Sequence, residues 1–319
     1  MTSSPTAPPL RWLVGTPAQK AAARNYWIRD PVVGALEYLI HYSVRALPIG
    51  LGSWLGAIVS KGTRHLYPHS EVRARLVWNT LHPDRSDPTS VTTAMDRLWR
   101  NVSRTMFEYS FLDRLWRAGR IRVTGGDVLD RARDTGRPIL VAVVHLGNWE
   151  VVLAAGVALG HQGSGIYLAP ENRFEHALVK TARTRYGARF VAAGPSSIRK
   201  AVAELKERAG PFIIFVDEEA RGRVQAPAFG RQLNADSNIG YVARLANLTN
   251  AVVVPAYCVR QGDSARFEVH FLEPVAIEKT RDKEADLQNN MQRLNAVFEP
   301  VVRAHIDQWF YALDLDLNS

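Results

Sequence analysis

The stretch "VVHLGNWEVV" at residues 143 to 152 places an imidazole, His145, directly after an apolar run, with a carboxylate, Glu150, five residues on. An imidazole titrates near neutrality, so it can take a proton from an attacking hydroxyl and return it to a leaving group. That use requires a partner that fixes its tautomer and steadies the imidazolium. A turn through "LGN" is expected to fold Glu150 back beside the ring, with Gly147 allowing close backbone approach and Asn148 capping the next helix. A second His-x4-acid spacing, His82 with Asp87, lies in the turn-like "HPDRSD" without a preceding strand and reads as a loop. A second acidic pair, Asp217 and Glu218, ends the apolar run "PFIIFVDE", and could either serve the site or pair with Arg221, Arg223 or Arg231. The bland alternative for His145 is a core histidine hydrogen-bonded to a helix cap.

Other chemistries lack their residues. No G-x-S-x-G elbow supplies a serine nucleophile, since "GPSSIRK" lacks the flanking glycines. Neither G-x-G-x-x-G nor G-x-x-x-x-G-K-[ST] occurs, which argues against nucleotide loops. H-E-x-x-H is missing, and Pro68 breaks the helix between His65 and His69, so no metal site is expected. Cys258, the single cysteine, sits in "AVVVPAYCV" and reads as a buried structural thiol.

The elements that position these residues fall into two regions. From Arg120 onward, seven strand-like segments alternate with helical patterns: "IRVTG", "PILVAVVH", "SGIYLA", "RFVAAG", "PFIIFVDE", "AVVVPAYCV" and "ARFEVHFLEP". Continuous apolar strands between helices predict an α/β fold with layers on both sheet faces. Ligands in such sheets gather at the carboxyl ends of strands, where His145 and Asp217–Glu218 both stand. Residues 1–29 are expected to be a partly ordered segment, 30–119 a helical region, and 120–319 an α/β core integrated with it.

The helical region begins with "VVGALEYLIHYSVRAL", where Glu37, His41 and Arg45 form one polar stripe and Val33, Leu36, Ile40, Val44 and Leu47 lie on the other side. With "SWLGAIVS" after Pro48, it predicts a helix pair packed on the main domain, lying in a membrane interface, or both. Tryptophans 78, 99 and 116 fall among the leucines and arginines of later helices and read as core. No run is long enough to span a bilayer, and no signal-peptide pattern opens the chain. The net charge is +9, carried by 33 arginines and seven lysines, which suits anionic partners. No nucleic-acid reading motif accompanies that charge.

"HLGNWE" resembles the histidine-plus-acid block of the bacterial lipid A biosynthesis lauroyl/myristoyl acyltransferase family, within the lysophospholipid acyltransferase-like superfamily. The likeness continues through "RARLVWNTLHPD", "FIIFVDEEARGRVQAPAFGR", "ARLANLTNAVVVPAY" and "VVRAHIDQWFYAL", and covers residues 32 to 313. It implies a layered α/β/α acyltransferase domain with a mostly parallel mixed sheet and an N-terminal membrane-associating helical extension. It implies acyl transfer from acyl carrier protein or coenzyme A to a hydroxyl of a membrane lipid, with no bound cofactor. Lipid A-type late acylation leads. Lysophospholipid, phosphatidylinositol mannoside or aminolipid acceptors, or a non-catalytic lipid-binding role, are the alternatives. The resemblance makes His145 the general base and Glu150 its holder, and places Gly147, Asn148, Trp149, Arg173, Asp217, Glu218, Arg221, Arg223, Phe229 and Gly230 around the substrates. It further implies a peripheral protein on the cytoplasmic face of the inner membrane.

The sequence also departs from the pattern. Tyr-Arg-Pro after the third strand is replaced by "IYLAPENR", leaving Arg173 as the nearest arginine, and Asp-Gln becomes Asp217–Glu218. The segment after the Phe-Gly turn is "RQLNADSNIG", and the basic ending is replaced by "YALDLDLNS". Loss of positive charge where phosphates would bind weighs against lipid A itself as the acceptor and leaves the transferase class standing.

Overall fold

Seven short strands, β-branched and almost free of charge where they are central, set the frame. The computed structural model describes residues 7–167, 169–192, 197–207, 210–218 and 223–317. The strands are β1 (Ile121–Thr124), β2 (Ile139–Val143), β3 (Ser164–Tyr167), β4 (Arg189–Ala192), β5 (Phe212–Phe215), β6 (Val252–Arg260) and β7 (Phe267–Phe271). They form one sheet in the order β1-β7-β6-β2-β5-β3-β4. β2 to β6 run parallel, while β7 is antiparallel to β6 and carries β1 parallel to itself. The expected mostly parallel, mixed α/β sheet is therefore present, with its reversed pair confined to one edge.

The helices are α1 (Pro17–Arg24), α2 (Asp30–Ala46), α3 (Ile49–Leu66), α4 (Pro68–Leu81), α5 (Pro88–Glu108), α6 (Leu112–Leu115), α7 (Gly126–Asp134), α8 (Glu150–Ala158), α9 (Arg173–Arg185), α10 (Ser197–Glu207), α11 (Asn238–Thr249) and α12 (Lys283–Ala304). Alternate residues of β2 enter two separate cores. Leu140, Ala142 and Val144 join a cluster that includes α4, α5, α11 and α12, whereas Ile139, Val141 and Val143 join one that includes α7 and α8. That period-2 division makes the sheet the middle layer of three.

α3 packs along α5 through small residues. A Cβ at Gly56 would stand 2.8 Å from the Arg104 Cα, so nothing larger fits the crossing. α2 is less usual. It buries Gly34, His41 and Val44, and Arg45 makes a two-pronged ion pair with Asp113 at 2.7 and 2.9 Å. Leu36 and Leu39 are 56% and 65% exposed, and Val32 and Ile40 also face outward. The polar stripe thus faces the protein and most of the apolar residues face away from it. Trp54 and Ile58 of α3 are exposed as well. Among the described residues, no helix is long and apolar enough to cross a membrane.

Candidate active site

Strand register brings the two strand-end motifs together. β2 and β5 are neighbours, with Val143 opposite Phe215. Continuing that register by two residues sets His145 opposite Asp217, both on the α8 side of the sheet by strand parity. The His145 backbone N–H donates to Asp217 Oδ2 at 2.7 Å, and the ring Nδ1 lies 2.9 Å from Oδ1. Trp309 Nε1 also donates to Oδ2, at 2.7 Å. With Oδ2 taken by two N–H donors and Oδ1 left for the ring, Nδ1 is the protonated nitrogen and Nε2 is left as the proton acceptor.

The expectation that Glu150 holds the ring is corrected here. Glu150 opens α8, and its carboxylate is held by other side chains. It accepts from Tyr109 Oη at 2.5 Å, Tyr186 Oη at 3.0 Å and Arg183 Nε at 3.1 Å, and Arg183 Nη2 closes a second bond to it. Burial pushes the Glu150 carboxyl up, but the Arg183 charge and these donors outweigh it and hold the group below the usual carboxylate range. Burial beside Glu150 pushes both phenols up, so they remain O–H donors. Arg183 is fixed further by the Phe190 and Tyr167 rings, 4.5 and 5.0 Å from its Cζ. Its Nη1 is buried with no hydrogen-bond partner among the described residues.

The turn between His145 and α8 is held from behind. Gly147 has φ +61°, and a Cβ there would sit 2.6 Å from the Cys258 carbonyl oxygen, so position 147 admits no side chain. The Gly147 carbonyl accepts from Asn101 and Thr105. Asn148 does not cap α8. Its Nδ2 donates to Glu108 at 2.8 Å, inside a buried pair in which Arg260 grips Glu108 with two bonds of 2.5 and 2.9 Å.

A cavity of about 200 Å³ opens beside the imidazole, lined by His145, Trp149, Glu150, Arg183, Phe215 and Glu218 among others. The Phe215 and Trp149 rings lie 4.1 and 5.1 Å from the imidazole. Glu218 accepts from Asn238 at 3.0 Å, and burial pushes its carboxyl up despite the nearby imidazole. A second cavity of about 390 Å³ shares Tyr109, Tyr167 and Arg183 with the first and reaches Ile40 of α2.

The remaining expected residues lie elsewhere. Arg173 does not replace the missing arginine, because its guanidinium is 3.8 Å from the Tyr26 ring centroid and bonds the Tyr26 carbonyl. Arg183, ten residues on in the same helix α9, is the arginine that lines the cavity. Phe229 and Gly230 form a turn behind the site, the Phe229 ring 5.9 Å from Trp309. Arg223 is exposed and not among the cavity's residues, Arg231 bonds the carbonyls of Val224 and Pro227, and Arg221 lies outside the described residues. Sequence reasoning missed Arg183, Tyr109 and Tyr186. The only cue was "TARTRYG", which puts two arginines and a tyrosine beside a strand. Among the described residues no group of three or more potential ligands could hold a metal ion.

A family model described as bacterial lipid A biosynthesis acyltransferase matches residues 38–315. No individually curated protein matches the chain.

Proposed function

From the premise that the chain belongs to the bacterial lipid A biosynthesis acyltransferase family, and is thus an acyltransferase, we propose how it moves its acyl chain. The donor is a fatty acyl thioester of acyl carrier protein or coenzyme A, and the acceptor is a hydroxyl of a membrane lipid. His145 Nε2 takes the hydroxyl proton while the oxygen attacks the thioester carbonyl carbon. The carbonyl π pair moves onto its oxygen and is steadied by nearby N–H donors, of which Arg183 is the cationic one. One such donor is commonly worth about 3 kcal/mol. Collapse re-forms the carbonyl and breaks the C–S bond, and the imidazolium returns its proton to the leaving thiolate. Asp217 holds the ring and balances its charge. Glu150 holds Arg183.

The observation that carries this reading is a histidine whose Nδ1 is held by a fully buried carboxylate while its ring faces a cavity walled by aromatic rings and by the Arg183 guanidinium. The second cavity supports an acyl route from that base toward the outward apolar side of α2. The exposed Leu36, Leu39, Trp54 and Ile58 support attachment to a lipid surface as a peripheral protein.

Purified protein in mixed micelles with acyl carrier protein or coenzyme A thioesters should release free thiol and acylate a lipid. His145→Ala should abolish both while the circular dichroism spectrum is retained. Turnover by His145→Ala at the wild-type rate refutes the assignment. For attachment, Leu36→Asp with Leu39→Asp should cut retention on phosphatidylglycerol vesicles at least tenfold, and unchanged retention refutes that surface.

A further inference from the structure

Residues 306–313 come last in the fold and surround the base. The Phe310 N–H donates to the His145 carbonyl at 2.9 Å, and the Gly147 N–H donates to the Gln308 carbonyl at 3.0 Å. Leu146 and Trp309 form an isolated antiparallel bridge between these contacts. The Gln308 side chain is itself pinned, accepting from Arg260 N at 2.7 Å and donating to the Arg260 carbonyl at 3.2 Å. The segment therefore grips the backbone of 145–147 on both sides.

Trp309 lies at the centre of this grip and is fully buried. An indole N–H so buried needs an acceptor, and here the acceptor is Asp217, also fully buried. Trp309 belongs to the core on the opposite face of the sheet from α8, so Asp217 is held between two layers: the base on one side and the indole on the other. A buried carboxylate with one oxygen unheld is free to rotate about its last bond or to accept a bond from elsewhere. With Oδ2 fixed by Trp309 Nε1 and His145 N, the carboxylate plane is set and only Oδ1 is left for the imidazole.

We infer that Trp309 is a positioning residue of the transfer reaction, acting through Asp217 to fix the orientation of the His145 ring. It touches neither substrate nor the reacting atoms, and its contribution is the direction of Nε2 and the share of carboxylate charge that Oδ1 presents to the ring. This rests on His145 being the base. Removing the indole donor leaves more charge on the carboxylate, which favours the imidazolium. The acid limb of the pH profile for kcat/KM should therefore move to higher pH.

The test is Trp309→Phe, which keeps a buried ring and removes the N–H. Expected are a kcat about tenfold lower, little change in either KM, and an acid limb raised by about one pH unit. The downfield Nδ1–H proton resonance of His145, identified by its loss in His145→Ala, should shift in the same variant without any substrate present. Phe298→Leu, in the same core but away from Asp217, should lower Tm and move neither the acid limb nor the resonance. If Trp309→Phe fails to fold, β-(3-benzothienyl)alanine at 309 keeps the indole's shape and still lacks the N–H. An unmoved acid limb and unmoved resonance in either variant, with His145→Ala and Asp217→Asn inactive, overturns the role of Trp309 and leaves the base standing. Full turnover in His145→Ala overturns the underlying reading instead.

Discussion

Two buried carboxylates stand close to one cavity and are held differently: Glu150 is in its lining, and Asp217 reaches it only through the imidazole of His145. Asp217 is gripped by neutral N–H donors and gives one oxygen to an imidazole, so its partner can change charge during a reaction. Glu150 is gripped by an arginine and two phenols, none of which loses its proton at working pH, so its wall is electrostatically fixed. On the proposed reading, the carboxylate that tunes the proton acceptor is kept apart from the one that immobilises a cation. The five-residue spacing from His145 to Glu150 puts both side chains in the lining of one cavity without joining them by a hydrogen bond.

The sharpest way to break that comparison is Asp217→Asn. An amide in place of the acid upsets the tautomer and removes the compensating charge, and the rate should fall about ten-thousand-fold, measured by thiol release with the fold checked by circular dichroism. Glu150→Gln should act first on stability. It strands Arg183 in a buried site, for a loss of about 3–5 kcal/mol in urea melts, without moving the acid limb of the activity profile. Replacing both partners, Glu150→Gln with Arg183→Met, should recover much of that stability but not the rate. A movement of the acid limb in Glu150→Gln would place the glutamate back in the relay.

Glu218 offers a finer test. Its folded-state carboxyl is raised by burial, so the stability it contributes is present below its ordinary range and is lost as pH rises through the folded value. Glu218→Gln removes that loss, so its Tm should exceed that of the unmodified protein by about 2 °C at pH 7–8 and by nothing below pH 4. The smallest effect belongs to Arg173→Ala. With its guanidinium on Tyr26 and Asp30, it should change kcat/KM less than about twofold, as expected of a half-buried position outside the cavity lining.

Much of this arrangement is legible in the sequence. Seven apolar segments became seven strands, and the carboxyl edge gathered His145, Asp217 and Glu218, because strand periodicity and strand-end polarity are local properties. Strand order is not local. Only the pairing of β2 with β5 decides that Asp217, 72 residues away in the chain, reaches the ring before Glu150 does. Arg183 and Tyr109 were hidden for the same reason, since helical arginines and tyrosines carry no mark of which partner they bury. The stripe on α2 was readable as a stripe, but period 3.6 does not say which side meets the protein. Here Asp113 and Arg185 draw Arg45 and His41 inward.

That inward stripe has a practical consequence. A helix that turns leucines toward water creates an adhesive surface, and two molecules in dilute buffer can cover theirs only by meeting face to face. Light scattering without detergent should report concentration-dependent self-association that a mild non-ionic surfactant reverses, and the Leu36→Asp, Leu39→Asp protein should stay monodisperse in both.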